Sequence, residues 1–308
     1  MSSPARRANS VIARCETVPL RGDEKVSLPG LAFASATTSR TVRALELAFS
    51  SVAPVAVAQH AEDRWWFHVT GYRPSIDSTA RSDLLALDRP GTVVSFEGEL
   101  GLADRATLPW FQAGRRLGER WRIELEYFSL RRSGSRTASR DIAWDDTVFP
   151  ASAPLSSIFD SDVMRLSAGY SFVQRPDAEL GAVLGLHATR FRVSLASQVA
   201  IGGFSGAGQA KAEEALVPLP TIGLYGRYDL APAWVVSGRF DYFSFSTGRY
   251  GGGLVDATID IGWRANERIT LSAGFRTVDY TLDIDRSNWR GGVDYRFKGP
   301  FVSLKFGF

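Results

Sequence analysis

Cysteine, histidine and methionine are scarce in this 308-residue chain, at one, three and two residues. The lone Cys15 has no disulfide partner, and the Ile12-Ala13-Arg14 ahead of it is no lipoprotein signal. Histidine is limited to His60, His68 and His187, and no His/Cys/Asp spacing of ligand type appears, so neither a metal nor a cofactor is announced. The glycine-rich stretch Gly202–Gly208 lacks the Lys-Ser/Thr and helix of a phosphate-binding loop and reads as a flexible outer loop. No solenoid-length repeat is present. Nor is there an apolar run of the ~18 residues that a membrane helix needs. That excludes crossing by helix but not by a barrel, whose strands show alternation only.

Aromatic residues, at 12%, and glycine, at 29 residues, are plentiful. The mixture suits strands joined by tight turns. A net charge of +3 and a pI near 9.1 suggest a polyanionic partner until the charges are located. Residues 1–58 hold seven basic groups (Arg6, Arg7, Arg14, Arg21, Lys25, Arg40, Arg43) and four acidic ones (Glu16, Asp23, Glu24, Glu46). Taking these from totals of 36 and 33 leaves 29 of each sign in the remainder, so a nucleic-acid partner loses its basis.

Residues 42–58 read as a signal peptide: Arg40 and Arg43 precede an apolar run, and Ala56-Val57-Ala58 forms a small-x-small cleavage site before Gln59. Glu46 within the run favours the alternative, a buried helix. Residues 1–41 are polar and without pattern and are expected to be a disordered, non-native N-terminal extension, translation starting near Val42. Arg6-Arg7 is followed by no apolar run and is discounted as an export signal. Residues 59–308 are then the mature domain.

From residue 65 onward the chain alternates. Trp121, Ile123, Leu125 and Tyr127 share one face and Arg122, Glu124 and Glu126 the other. The division recurs in Met164–Phe172, Trp234–Tyr242 and Val255–Arg264, and again where Val293, Tyr295 and Phe297 oppose Asp294 and Arg296. Soluble sandwiches also alternate. Three further features select a membrane barrel. Short turns (Gly118-Glu119, Arg175–Asp177, Ala231-Pro232, Ala265–Glu267, Lys298–Pro300) alternate with longer connections. Aromatics flank those turns, and Trp121, Phe172, Tyr228, Trp234, Trp263 and Phe297 are the expected interfacial girdle. The chain ends with Val302, Leu304, Phe306 and Phe308 on one face, the usual targeting signal of bacterial outer-membrane barrels. Phe306 and Phe308 are therefore expected to engage the barrel-assembly machinery, and the girdle the outer-membrane lipid.

Three segments, Tyr72–Asp77, Gly91–Leu102 and Tyr127–Arg136, together resemble a group of uncharacterised proteobacterial outer-membrane proteins, a resemblance extending over most of residues 64–308. That group usually has more acidic residues in the second segment than Glu97 and Glu99. The resemblance implies a fold and a Gram-negative outer-membrane address but no activity.

The expected fold is therefore all-β: a closed antiparallel up-and-down transmembrane barrel of about 12 strands, 10 to 14 being compatible. Eleven crossings are read, the last two as 288–297 and 300–308. An even number is needed when both termini share one side, and Thr92–Glu99 is the expected twelfth. That choice puts the long segments Ser133–Ser157 and Ala196–Glu213 on the short-turn side, a conflict left to the structure.

The inferred inner face carries Arg122, Glu124, Glu126, Arg165, Arg227, Arg239, Asp241, Asp256, Asp260, Arg276, Asp294, Arg296 and Lys305. Buried charges of both signs must pair, whereas an ion-selective pore shows rings of one sign. The expectation is a narrow or plugged barrel with at most passive small-solute passage. The alternative is a structural or adhesive surface protein working through Ser133–Ser157 and Ala196–Glu213. A hydrolase would need a Ser and a carboxylate converging on His187, which nothing in the sequence indicates. Asp141, Asp145, Asp146, Asp160 and Asp162 read as solvated loop carboxylates rather than a Ca²⁺ site.

Overall fold

The structure is a computed structural model, and it describes residues 63–83, 88–144, 147–197, 200–201, 204–205, 209–247, 250–285 and 290–308. The expected extension and signal peptide, with Cys15 and His60, lie outside these residues, as do most of Gly202–Gly208. The strands in chain order are β1 (Trp65–Tyr72), β2 (Ser75–Ser82), β3 (Val94–Ser95), β4 (Leu108–Leu117), β5 (Trp121–Thr137), β6 (Ile142–Trp144), β7 (Thr147–Phe149) and β8 (Pro154–Gln174). They continue with β9 (Ala178–Ser197), β10 (Ala200–Ile201), β11 (Phe204–Ser205), β12 (Gln209–Ala231), β13 (Trp234–Thr247), β14 (Tyr250–Arg264), β15 (Ile269–Asp285) and β16 (Arg290–Gly307).

Ten strands close into an antiparallel barrel in the order β1-β4-β5-β8-β9-β12-β13-β14-β15-β16, with β16 pairing back onto β1. Closure lets the wall strands pair with one another all the way round, as hydrocarbon demands. The count is ten, not twelve, for two reasons. Lys298–Pro300 is not a turn: β16 runs through it, pairing with β15 from Ile269↔Phe306 to Asp285↔Arg290 without interruption. Thr92–Glu99 is not a crossing either, since only Val94 and Ser95 are strand, paired to β2 at Ala80 and Thr79. With ten strands Trp65, Phe308 and the short turns share one end, and the connections after β5 and β9 lie at the other. The sidedness conflict thus disappears. β1 and β2 keep one register against β16, from Trp66↔Gly307 through Tyr72↔Phe301 to Ser75↔Lys298 and Ser82↔Gly291, and act as a single wall strand interrupted at Arg73-Pro74.

Several strands are about twice as long as the 9–11 residues that cross a bilayer: β8 has 21 residues, β9 20 and β12 23. Along each, the sense of the alternation reverses. Over the short-turn half of β9, Leu180, Leu184 and Leu186 face outward, Leu184 at 66% exposure, while Glu179 and His187 face inward. Beyond Ala188 the outward residues become Arg190 and Arg192, and the inward ones Phe191, Val193 and Leu195. β8 changes likewise between Val163 and Met164, and β5 between Tyr127 and Ser129. The short-turn half is polar inside and apolar outside; the loop half is built like a soluble protein. This reversal corrects three sequence expectations. Phe297 is 0% exposed inside the barrel and belongs to no girdle, and Asp294 and Arg296 point outward, Arg296 at 61% exposure and paired with Asp279. Trp121, Phe172, Tyr228, Trp234 and Trp263 all face outward next to the short turns.

The loop half is filled from within. β4 pairs with β5 only as far as Phe128, and the wall between β2 and the rest of β5 is completed by the segment following β3. Its Val94, Phe96, Leu100 and Leu102 are buried, and Phe96 stands 4.9 Å from Phe159. Gly134 on β5 allows the approach, since a Cβ there would fall 2.7 Å from the backbone of Gly101. Arg132 donates to Ser78 Oγ at 2.8 Å and to Glu97, and Ser78 donates to the same carboxylate at 2.6 Å. The β6–β7 hairpin contributes Ile142, Trp144 and Phe149 to the same core. Phe159, Phe191, Tyr295 and Phe297 fill the centre, with ring centroids 4.1 to 6.0 Å apart.

The reversal is testable on one strand. Leu184→Arg places a charge in the apolar belt and should cost about 2–4 kcal/mol. Arg192→Leu, on the same face of the loop half, should change stability by less than about 0.5 kcal/mol, its 3.3 Å pair with Glu214 being exposed. Urea unfolding in lipid vesicles reads both, and equal effects would contradict the assignment.

Candidate functional site

The short-turn half of the lumen holds the ionisable side chains. Small inward residues such as Ser167, Gly169, Gly181 and Gly185 on β8 and β9 leave room for long ones on the facing strands. Arg165 of β8 donates to Asp241 at 2.9 Å, to Asp256 at 2.9 Å and to Glu126. Arg276 of β15 donates to Glu126 at 2.7 Å and to Asp256 at 3.0 and 2.6 Å. Arg239 of β13 reaches Asp241 at 2.6 Å and Glu124 at 2.5 Å. In barrel order β5 and β8 lie across from β13, β14 and β15, so the bonds of Arg165 to Asp241 and Asp256, of Arg276 to Glu126 and of Arg239 to Glu124 bridge the lumen, while the others join side chains on the same or neighbouring strands.

With Arg122, which lies 3.4 Å from Glu124, the cluster has equal numbers of guanidiniums and carboxylates. That balance is what burial of charge requires. Arg276 is 0% exposed, and its guanidinium lies 4.3 Å from the Trp110 ring centre and 5.2 Å from that of Phe128. The two rings give the guanidinium, whose Nη1 has no hydrogen-bond partner, a cation–π environment. The layer is therefore roofed by the aromatic core.

Below it lies a cavity of about 180 Å³ reaching the short-turn rim. Arg122, Arg227, Asp260 and Lys305 line it, together with His68, Arg116, Glu179, Tyr225 and Arg264. Arg116 grips Glu179 through both guanidinium nitrogens at 3.0 to 3.1 Å, and Lys305 lies 3.3 Å from Asp63. The structure thus gathers all the sequence-predicted lumen residues except Asp294 and Arg296. Arg116, Glu179, Asp229 and Arg264 were missed, although each keeps the inward parity of its strand and could have been found by counting in twos from the short turns.

His187 is 2% exposed beside the layer, and its Nδ1 has no hydrogen-bond partner. Among the described residues no Ser or carboxylate is hydrogen-bonded to its ring. Asp160 and Asp162 pair with Arg131, and Asp141 accepts from the Ala151 amide; Asp145 and Asp146 lie outside the described residues. Among the described residues no group of three or more metal-type ligands occurs.

The chain matches no protein-family profile and no curated protein. Among solved structures it is similar to the outer membrane protease OmpT from Escherichia coli, with a TM-score of 0.55, 12% identity and coverage of 83% of this chain and 100% of that one. At that identity the likeness is one of fold, and the fold is a transmembrane β-barrel. Weaker likenesses are to the translocator domain of the autotransporter NalP from Neisseria meningitidis (TM-score 0.39, 12% identity, 87% of this chain and 94% of that one) and to the toluene transporter TodX of P. putida (0.35, 11%, 83% and 94%).

Arg276→Met tests the layer. Glu126 and Asp256 would keep a buried charge with one partner fewer, a loss expected to cost about 3–5 kcal/mol. Denaturant unfolding in detergent should show it, and a change below about 1 kcal/mol would mean that water already reaches these groups.

Proposed function

We propose that the protein is a sealed outer-membrane barrel, a structural or surface-presenting element rather than a pore. The observation that carries this reading is the lumen-spanning layer of Arg165, Arg276, Glu126, Asp241 and Asp256, each at most 4% exposed, backed by a buried aromatic core. A diffusion route needs a continuous wet path, and opening one here would strand several buried charges. In this reading the short turns and Phe308 face the periplasm. The loop half then projects beyond the outer leaflet as a rigid cylinder with a polar exterior, the surface available to a partner. Phe306 and Phe308 on the terminal strand serve recognition by the assembly machinery. No catalytic role is proposed.

Planar-bilayer recording on refolded protein should give no channel events at ±100 mV. Steady, reproducible conductance steps would refute the sealed barrel. Under the same reading, exchanging the polar outward residues of the loop half should alter a surface phenotype while the folded barrel keeps its resistance to heat in detergent.

A further inference from the structure

Val217-Pro218-Leu219-Pro220 lies in the middle of β12, and proline is out of place in a strand paired on both sides. The ladder to β9 nevertheless runs through it unbroken, with Pro218 opposite Ala188 and Pro220 opposite Leu186. The ladder to β13 does not. It ends at Ile222↔Tyr242, although β12 extends back to Gln209 and β13 on to Thr247. Backbone parity explains the difference. The Asp229 amide donates to the Asp177 carbonyl on the β9 side at 2.8 Å, so odd-numbered residues of β12 turn their amides and carbonyls to β9 and even-numbered ones to β13. Both prolines therefore lack a donor where β13 would need it, at the places that Ser244 and Ser246 would face in that register.

The result is a notch in the loop half of the wall. Glu214 and Leu216, also even-numbered, turn complete peptide groups towards it, and β9 holds them extended from the other side at Arg192 and Arg190. Across the notch Ser244 and Ser246 do the same, held by β14 at Gly253 and Gly251. Among the described residues no backbone group pairs with these residues on the notch side. Apolar side chains beside the notch are uncovered as well. Leu216 is 62% exposed at the level of Arg190, and Phe245, inward by parity, is 49% exposed and stacked on Phe243.

We propose that this notch accepts one extended segment of a partner polypeptide as an added wall strand, bonded main chain to main chain along Glu214 and Leu216 of β12. A row of amides and carbonyls on a rigid edge is matched residue by residue by another peptide backbone, whereas a lipid chain would cover Phe245 and leave the edge unbonded. The segment the notch fits is free of proline and alternates, with apolar side chains inward beside Phe243 and Phe245 and polar ones outward beside Glu214. Pro218 and Pro220 confine the site to the aqueous half. They stand opposite Ala188 and Leu186, at the upper margin of the apolar belt, and present no donor there. The inference goes beyond the sealed-barrel reading and is independent of it, because a conducting barrel can carry the same notch.

The test is fluorescence anisotropy on the refolded full chain in detergent, with a labelled hexapeptide of alternating valine and threonine flanked by lysines. Saturable binding is expected, above the signal from protein-free micelles. The same peptide N-methylated throughout keeps its side chains but has no amide donor, and it should bind at least tenfold more weakly. The double variant Glu214→Pro, Leu216→Pro should weaken binding of the parent peptide at least tenfold while the heat-modified gel shift is kept, since Pro218 and Pro220 leave the β9 ladder intact at the same parity. Absence of saturation overturns the proposal. So does equal affinity for the N-methylated peptide, which would mark an apolar contact only, or undiminished binding by the proline variant. If that variant does not fold, the comparison of the two peptides on the wild type decides alone.

Discussion

Each long strand of this barrel meets two media, and the side chains are selected by that change. Along the short-turn half the outer surface lies against hydrocarbon, so Leu180, Leu184 and Leu186 point out and the polar residues turn inward. Farther along, water replaces lipid outside and the preference inverts: Arg190 and Arg192 point out while Phe191, Val193 and Leu195 make a core. The backbone does not register the boundary, because a closed ladder satisfies its own amides in either medium. The reversal is written in side chains alone.

That reversal sets the cost structure of the lumen. Ten strands leave little space, and the charges of the inner layer are largely removed from water. They are tolerable only in equal number and at bonding distance, which Arg122, Arg165, Arg239 and Arg276 achieve with Glu124, Glu126, Asp241 and Asp256. The aromatic core above keeps water from the layer, and the low dielectric this creates strengthens each bond in it. The segment after β3 supports both, since it closes the wall where β4 is too short and supplies Phe96 and Leu100 to the core.

Much of this was legible. Alternation located the strands, five of the six aromatics singled out beside the short turns face outward, and the charged positions near the short turns were assigned to the inner face. The failures share a cause. Phe297 and its neighbours Asp294 and Arg296 were assigned by polarity, apolar out and polar in, a rule that holds only inside the bilayer. Counting in twos from Phe308 gives the opposite and observed face, had Lys298–Pro300 not been read as a turn; Pro300 faces outward there, and its carbonyl accepts from the Arg73 amide. Thr92–Glu99 alternates well enough for a strand, yet Gly98 and Gly101, with φ of +73° at the second, let it fold inward instead.

The sequence by itself determined that the chain closes into a barrel and where its short turns and outer belt lie, because strand period, turn chemistry and aromatic placement are local properties. Which charges meet across the lumen, how many strands close the wall, and which stretch fills the interior were decided only by tertiary structure. Those depend on partners far apart in the chain, as Glu126 and Arg276 are, and on a medium that changes outside the barrel while the strand pattern continues through it.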